Sequence, residues 1–412
     1  MRVHLTGMLT IRSLLLFLAV SILAASSNFA APELLPLDLK EGQLIGPGAD
    51  VLRAQLPQAQ FILWGEDHGF ADSPILLRAL AGDARPLGFK YHIVEVGPLS
   101  TRLIADTLSH GGLNGLHKLV HEVPFGMPFL CLKDDAELAT DFLGSDSKGQ
   151  PFLRGIDQEF IGAPPFHLQR LVAIAPNDSA RAAADKLLHE EQDAAAKGEQ
   201  KKFVLSRFGD ADFDALAMQF KDQAEAQEII AELKESAAIY QAWASGHNYE
   251  NNARRARLLA KNFLAAYKST AEAEPKMVFK MGLEHVALGT NTNNMVDVGT
   301  LATSIAKLNG KTALRIAFLP IGGHNTGFEI KPGNPFVTEP YDSPEAKEFA
   351  AAIGRDAAAL PKEGWALIPL EPIRQSLDTK GIDKLKAFAR TTLLGYDYIV
   401  TTAEAKAATA LY

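Results

Sequence analysis

The segment FILWGEDHGF, residues 61–70, passes directly from an apolar run into charged residues. Residues 61–64 are typical of a buried strand, and Glu66, Asp67 and His68 follow them between two glycines. In open α/β sheets, ligands bind outside the carboxyl ends of the strands, where loops present side chains from a rigid base. The segment therefore predicts a buried strand that ends at a binding or catalytic site.

Further β-rich runs alternate with segments of helical character along the chain. These runs are residues 92–96, 152–156, 277–281, 314–319, 365–370 and 398–401. Strands that alternate with helices predict an α/β fold with a central, largely parallel or mixed sheet and helices on both faces. Residues 179–271 are rich in Ala, Glu, Lys and Gln, so we expect a helical insertion packed over the sheet. No Pro/Gly/Ser linker isolates it, and we expect residues 31–412 to form a single domain.

Residues 1–30 have the composition of a secretory signal peptide. Arg2 and Arg12 lie near an apolar run at residues 14–25, which ends in small residues. A membrane span needs about 20 apolar residues, and this run is shorter. We expect a periplasmic or secreted protein with no stable membrane span after cleavage, and an uncleaved N-terminal anchor is the alternative.

The overall composition excludes several classes of function. The chain has 41 Lys and Arg against 49 Asp and Glu, a net charge of −8, and no basic stripe with interleaved aromatic residues. Nucleic acid is therefore not an expected partner, whereas a small-molecule substrate is. The single cysteine, Cys131, excludes an internal disulfide framework, thiolate zinc sites and iron–sulfur clusters.

Polar residues follow four of the other predicted strands at the point where each strand ends. They are Glu95, Asp157, His285 and His324. Glu95 lies within the β-branched run YHIVEVGP, where a buried carboxylate needs a cation or hydrogen-bond partners. Asp157 has the alternative of capping the next helix, and His324 lies in GGHNTG, a stretch that also suits a structural turn. Together with Glu66 and His68 of the first segment, these residues are expected to lie at one edge of the sheet and to form a functional site there.

Several of these motifs resemble a known superfamily. WGEDHG, followed by a helix and HIVEVG, is similar to the opening of the erythromycin esterase-like superfamily, which includes the ChaN-type haem-uptake proteins and the Tiki/TraB proteins. The one-residue spacer between Glu66 and His68 is similar to that of ChaN and shorter than that of the esterases. RARLLAKN, residues 255–262, resembles the helical signature and carries over Arg255 and Asn262, and FKMGLEHVALG resembles the late strand that ends in a histidine, His285. The resemblance covers residues 59–289.

These residue types suit hydrolysis by activated water. Histidine has a reference pKa near 6.5, so its neutral form is available to take a proton from water. We expect His68 to be the general base, with Glu66 or Glu95 as its orienting partner. Arg255 and His285 would then bind the substrate or the transition state. The expected catalytic residues are Glu66, His68, Glu95 and His285, and the expected substrate-binding residues are Arg255, Asp157 and His324.

The sequence therefore predicts an exported hydrolase that cleaves an ester or amide bond. The absence of a Gly-x-Ser-x-Gly elbow argues against a serine hydrolase. We expect no cofactor, but two histidines with carboxylates are also adequate ligands for a divalent metal. A ChaN-like haem- or iron-binding protein and a catalytically inactive binding member of the superfamily are the alternative functions.

Overall fold

The computed structural model describes residues 33–412 of the chain. The signal peptide predicted for residues 1–30 lies outside the described residues. None of the helices formed by residues 33–412 combines the length and the apolar character that a membrane crossing requires.

Nine strands form one sheet, and two more form a separate hairpin. The strands of the described chain are β1 (Leu35–Lys40), β2 (Gln43–Ile45), β3 (Ala59–Glu66), β4 (Phe89–Val94), β5 (Leu153–Gly155), β6 (Lys276–Gly282), β7 (Thr312–Phe318), β8 (Gly322–Phe328), β9 (Phe336–Asp342), β10 (Trp365–Pro369) and β11 (Tyr398–Thr401). The sheet order is β2-β1-β10-β11-β7-β3-β6-β4-β5. Pairing is parallel from β11 to β5, and β10, β1 and β2 extend the sheet as antiparallel strands.

Helices surround this sheet. Those outside the segment between β5 and β6 are α1 (Pro47–Gln55), α2 (Asp72–Ala84), α3 (Pro98–Glu122), α4 (Lys133–Thr140), α11 (Leu283–Val286), α12 (Val298–Leu308), α13 (Pro344–Ala352), α14 (Glu371–Ser376), α15 (Thr379–Asp383) and α16 (Ala387–Gly395). Those between β5 and β6 are α5 (Pro164–Ala173), α6 (Asp178–Ala196), α7 (Val204–Arg207), α8 (Asp210–Gln219), α9 (Ala224–Ala244) and α10 (Asn248–Ser269). Short 3₁₀ turns occupy Arg85–Leu87, Gln200–Lys202 and Ala357–Ala359.

The central strand β3 is buried along its whole length, because both faces of the sheet are covered. Successive residues of β3 enter different apolar clusters: Phe61 and Leu63 pack on one face, and Ile62 and Trp64 on the other. Helices α5 to α9 bury a third apolar cluster of their own, which includes Phe203, Phe213 and Phe220. This helical insertion is continuous with the sheet through the long helix α10, whose Leu259 and Phe263 join the first cluster.

The predicted fold class is confirmed: the protein has a mixed α/β fold with a mostly parallel sheet and helices around it. Each predicted run overlaps a strand of the sheet. Strands β1, β2, β8 and β9 were not predicted. The stretch GGHNTG is a strand, β8, and its interpretation as a structural turn was wrong. Backbone hydrogen bonding to β9 stabilises an extended conformation that its glycine-rich composition did not indicate.

Candidate active site

The carboxyl ends of three adjacent parallel strands define the centre of the candidate site. Glu66 is the last residue of β3, Gly282 is the last residue of β6, and Glu95 follows β4 directly. Strand β6 lies between β3 and β4, so Gly282 separates the two glutamates. A β-carbon at Gly282 would lie 3.1 Å from His68 Nε2 and 3.4 Å from Glu95 Oε2. The Gly282 N–H donates a hydrogen bond of 2.5 Å to Glu95 Oε2. A side chain at this position would therefore press on the His68 ring and on Glu95.

His68 lies between the two glutamates. Its Nδ1 is 3.1 Å from Glu66 Oε1, and its Nε2 is 3.8 Å from Glu95 Oε2. Because an ionised carboxylate only accepts hydrogen bonds, Glu66 favours the tautomer that carries the proton on Nδ1. About a third of the side chain (34%) is exposed. Nε2 is therefore the nitrogen that can accept a proton from water in the cleft.

Glu66 is held by a buried lysine that the sequence analysis did not identify. Lys280 Nζ lies 2.5 Å from Glu66 Oε1 and 2.6 Å from Asp135 Oδ1, and Ser73 Oγ donates to the other Glu66 oxygen. Burial alone would raise the pKa of Glu66, but Lys280 and His68 lower it below its ordinary value. Burial raises the pKa of Asp135 to about 6. Lys280 thus keeps the orienting carboxylate ionised.

The position of Lys280 carries the same sequence signal as that of Glu95. Lys280 interrupts the apolar run VFKMG, and a charge within a buried strand needs partners. Asp135 carries no such signal, because it lies in the first turn of α4, where an acidic residue commonly favours the helix N-terminus.

On the other side of the cleft, Arg255 pairs with two carboxylates. Its Nη2 lies 2.7 Å from Glu95 Oε1, and its Nε lies 3.0 Å from Asp157 Oδ1. Asp157 is buried behind the guanidinium and does not line the cleft, so the structure places it as a partner of Arg255 rather than at the substrate surface. None of the hydrogen bonds formed by residues 33–412 uses Arg255 Nη1, which leaves that group as a donor for a ligand.

His285 is a cation at neutral pH. Its Nδ1 lies 2.8 Å from Asp297 Oδ2, and its Nε2 lies 3.4 Å from Glu95 Oε1. Burial and Arg255 would lower the pKa of His285, but Glu95 and Asp297 raise it to about 10. Asp297 was also missed, because it lies in a loop as the N-cap of α12 and follows no strand.

A cleft of about 390 Å³ exposes this cluster. Its lining includes Glu66, His68, Glu95, His285 and Arg255, so the structure brings together all four expected catalytic residues and the expected arginine. His324 is not brought to them. It lies on β8 with an exposed side chain, and it neither lines the cleft nor makes a side-chain hydrogen bond or ion pair among residues 33–412.

The loop that carries His68 is fixed by the C-terminal part of the chain. The Gly69 carbonyl accepts hydrogen bonds of 2.9 Å from Thr326 N of β8 and from Ala408 N. Gly69 has a φ of 89°, and a β-carbon there would lie 2.3 Å from the Thr326 carbonyl oxygen. The region after Gly289 therefore positions His68, a role that the sequence resemblance did not reach.

The charges of the cluster alternate. Lys280, Arg255 and His285 provide three cations between the carboxylates of Asp135, Glu66, Glu95, Asp157 and Asp297. Within residues 33–412, no group of three or more His, Cys, Asp or Glu side chains is arranged to hold a metal ion. The divalent-metal and haem alternatives remain predictions.

Comparison with known proteins supports the fold. Searches with the sequence against protein-family models and against curated proteins returned no match. Among solved structures, a mutant of the erythromycin esterase EreC in its open conformation is similar at 16% identity and a TM-score of 0.55, over 86% of this chain and 93% of that one. A succinoglycan biosynthesis protein is similar at 14% identity and a TM-score of 0.51, over 91% of this chain and 95% of that one. A Bacillus cereus protein is similar at 12% identity and a TM-score of 0.51, over 92% and 97%. The predicted resemblance to erythromycin esterase is thus confirmed at the level of the fold.

Proposed function

We propose that this protein is a hydrolase that cleaves an ester or amide bond in a small molecule with water activated by His68. One observation carries the proposal. His68 donates a hydrogen bond from Nδ1 to the Glu66 carboxylate, and it lines a cleft that also contains two cations, the His285 imidazolium and the Arg255 guanidinium. His68 lies on one side of Glu95, and the two cations lie on the other. Hydrolysis of a carbonyl compound needs a base to activate water and positive charge to stabilise the oxyanion.

The proposed reaction begins when His68 Nε2 takes a proton from a water molecule in the cleft. Glu66 stabilises the imidazolium that forms, and the oxygen of the water attacks the carbonyl carbon of the substrate. His285 and the free Nη1 of Arg255 stabilise the oxyanion of the tetrahedral intermediate. His68 then returns the proton to the leaving alcohol or amine as the bond to the carbonyl carbon breaks, which releases a carboxylic acid.

The electrostatics of the cluster set the pH range of this chemistry. Burial would lower the pKa of His68, but the hydrogen bond to Glu66 and the charge of Glu95 raise it above its ordinary value. His68 acts as a base only when it is neutral. We therefore propose that the enzyme works best in mildly alkaline solution, where His68 has lost its proton and His285 has kept its own.

Export is a further part of the proposal. It is supported by the basic and apolar composition of residues 1–30. Fractionation of cells that express the full chain tests it, with a substitution of charged residues into residues 14–25 as the control. Retention of the wild-type protein in the cytoplasm would contradict export without affecting the proposed chemistry.

A panel of esters and amides tests the hydrolase proposal. We expect turnover by the wild-type protein, and we expect His68→Asn to lower kcat by about 10²–10⁴-fold, because that is the usual contribution of a general base. His324→Asn is the matched control, since it makes the same chemical change at an exposed histidine outside the cleft. Equal rates for the wild-type and His68→Asn proteins, or no turnover of any compound, would contradict the proposal.

A further inference from the structure

A second cavity adjoins the polar cleft and shares His68 and Asp67 with it. This cavity has a volume of about 340 Å³. Its apolar wall is formed by six side chains, which are Pro128, Phe129, Leu132, Phe160, Phe328 and Phe336. We call it the phenylalanine pocket. Because His68 lines both spaces, a ligand that spans them passes the candidate base.

The aromatic rings of the phenylalanine pocket pack edge to face. The ring centroid of Phe328 lies 5.4 Å from that of Phe160 and 5.6 Å from that of Phe336, with interplanar angles of 69° and 67°. Phe129 stacks on the imidazole of His68 with a centroid distance of 4.1 Å. Its backbone φ is 57°, a conformation that residues other than glycine rarely adopt. The aromatic surface therefore extends as far as the candidate base, with Phe328 at its centre.

Among residues 33–412, the phenylalanine pocket is lined by no lysine or arginine, and Asp67 is its one carboxylate. Asp67 already accepts a hydrogen bond of 2.6 Å from Tyr341 Oη and one of 3.1 Å from the His68 N–H. Burial raises the pKa of the Cys131 thiol, which also lines the pocket and is therefore neutral. An anionic group would lose its hydration there without a lysine or arginine to compensate it, whereas an aromatic ring would gain edge-to-face contacts and lose contact with water.

The polar cleft has the opposite character. Besides Glu66 and Glu95, it is lined by Glu284 and Glu345, together with the amides of Asn252 and Asn293. Beyond the Arg255 and His285 cations, which the mechanism places beside the scissile carbonyl, these groups suit a neutral hydroxylated or cationic leaving group. The acid half of the substrate thus fits the phenylalanine pocket, and the alcohol or amine half fits the polar cleft.

We propose that the substrate is an ester or amide of an aromatic acid, with its aromatic acyl group in the phenylalanine pocket and a polar alcohol or amine in the polar cleft. This inference rests on the proposed hydrolase function. The scissile carbonyl then lies beside His68, at the junction of the two spaces.

Matched esters of one alcohol test this assignment. We expect wild-type kcat/KM for benzoyl-glycerol to exceed that for acetyl-glycerol by about tenfold or more, since a single methylene group in an apolar pocket already discriminates by about 10–200-fold. Phe328→Ala should abolish this preference through loss of the benzoyl rate alone, and Phe328→Leu should retain part of it. Phe388→Ala is the control, because Phe388 lines the polar cleft and its removal should leave the benzoyl-to-acetyl ratio unchanged.

Several results would overturn the assignment. The first is an equal wild-type kcat/KM for both esters. The second is an unchanged benzoyl-to-acetyl ratio of kcat/KM in a folded Phe328→Leu or Phe328→Ala protein, and the third is a preference for benzyl acetate over benzoyl-glycerol. If the wild-type protein hydrolyses no ester, calorimetric titration with 2-naphthamide separates the two proposals. Binding of 2-naphthamide that is lost in Phe328→Ala and kept in Phe388→Ala would support the phenylalanine pocket as an aromatic binding site, although the hydrolase proposal would fail. Absence of binding to the wild-type protein would overturn the assignment of the pocket.

Discussion

Replacement of Lys280 by methionine tests the buried charge network that holds the candidate base. Methionine has nearly the length of lysine but no charge, so the substitution leaves Glu66 and Asp135 buried without their cation. Lys280 is only 6% exposed, and its ammonium lies 2.5 Å and 2.6 Å from the two carboxylates. Removal of one partner from such a buried ion pair costs about 3–5 kcal/mol of unfolding free energy. Because the unfolding entropy is about 2 cal/mol/K per residue, in a chain of this length we expect Tm to fall by roughly 4–6 °C.

The loss of stability in Lys280→Met should depend on pH. In the wild-type protein the pKa of Glu66 is lowered, so its pairing contributes stability above the ordinary glutamate pKa and loses that contribution as the pH falls through the lowered value. Without Lys280, both carboxyl groups gain protons more readily, because burial is no longer opposed by a cation. The loss of Tm should therefore be larger at pH 8 than at pH 5.

Thermal unfolding at these two pH values, followed by circular dichroism, is the assay. Lys276→Met on the same strand is the matched control, because that lysine is the first residue of β6, at the opposite end of the strand from the site, and pairs with no carboxylate among residues 33–412. Its substitution should change the unfolding free energy by less than about 0.5 kcal/mol. Equal melting temperatures for the two variants at pH 8, or an equal deficit at pH 5 and pH 8, would refute the reasoning.

Three further predictions concern the cleft. The value of kcat/KM for an ester should rise with pH as His68 loses its proton, at a pKa above the ordinary histidine value, and should fall near pH 10 as His285 loses its proton. A pH profile that is flat between pH 5 and 9 would exclude His68 as the base. Arg255→Lys should restore little of the activity lost in Arg255→Ala, because one ammonium cannot replace a guanidinium that bridges Glu95 and Asp157; equal kcat/KM in all three proteins would remove Arg255 from the mechanism. Gly282→Ala should lower kcat by about tenfold or more with a small change in Tm, because the new methyl group displaces the partly exposed His68 ring; unchanged kcat would show that the position of His68 Nε2 is not critical.

Much of the fold could be predicted from the sequence because the central strands are buried on both faces. Such strands appear as short, continuous apolar runs, as in residues 61–64 and 398–401. Strand β8 could not be predicted in this way. Its sequence, GGHNTGF, has neither apolar alternation nor β-branched enrichment, and its extended conformation depends on pairing with β9 and on contacts with the C-terminal residues.

Most of the candidate site was predictable because its residues lie at or shortly after the carboxyl end of a strand, and Arg255, on α10, was indicated by the family resemblance. Glu66, Glu95 and His285 have that position, and the parallel sheet brings them to one edge. The sequence placed His324 at the end of the next strand, β7, but it lies within β8, which carries it away from the cleft. Asp297 belongs to the cluster through a loop and a helix N-cap, and no local pattern in the sequence connects it with His285.

The rate of ester hydrolysis after chelation tests the central claim most directly. Wild-type protein and His68→Asn, both purified without a His-tag and treated with a chelator, are compared at pH 8.5 on the ester that the wild-type protein hydrolyses fastest. If His68 is the base and Arg255 and His285 supply the positive charge, kcat of the chelated wild-type protein should be unchanged and should exceed that of His68→Asn by about 10²-fold or more. Loss of wild-type activity on chelation, with recovery on addition of one divalent ion, would contradict this account and make His68 a metal ligand instead.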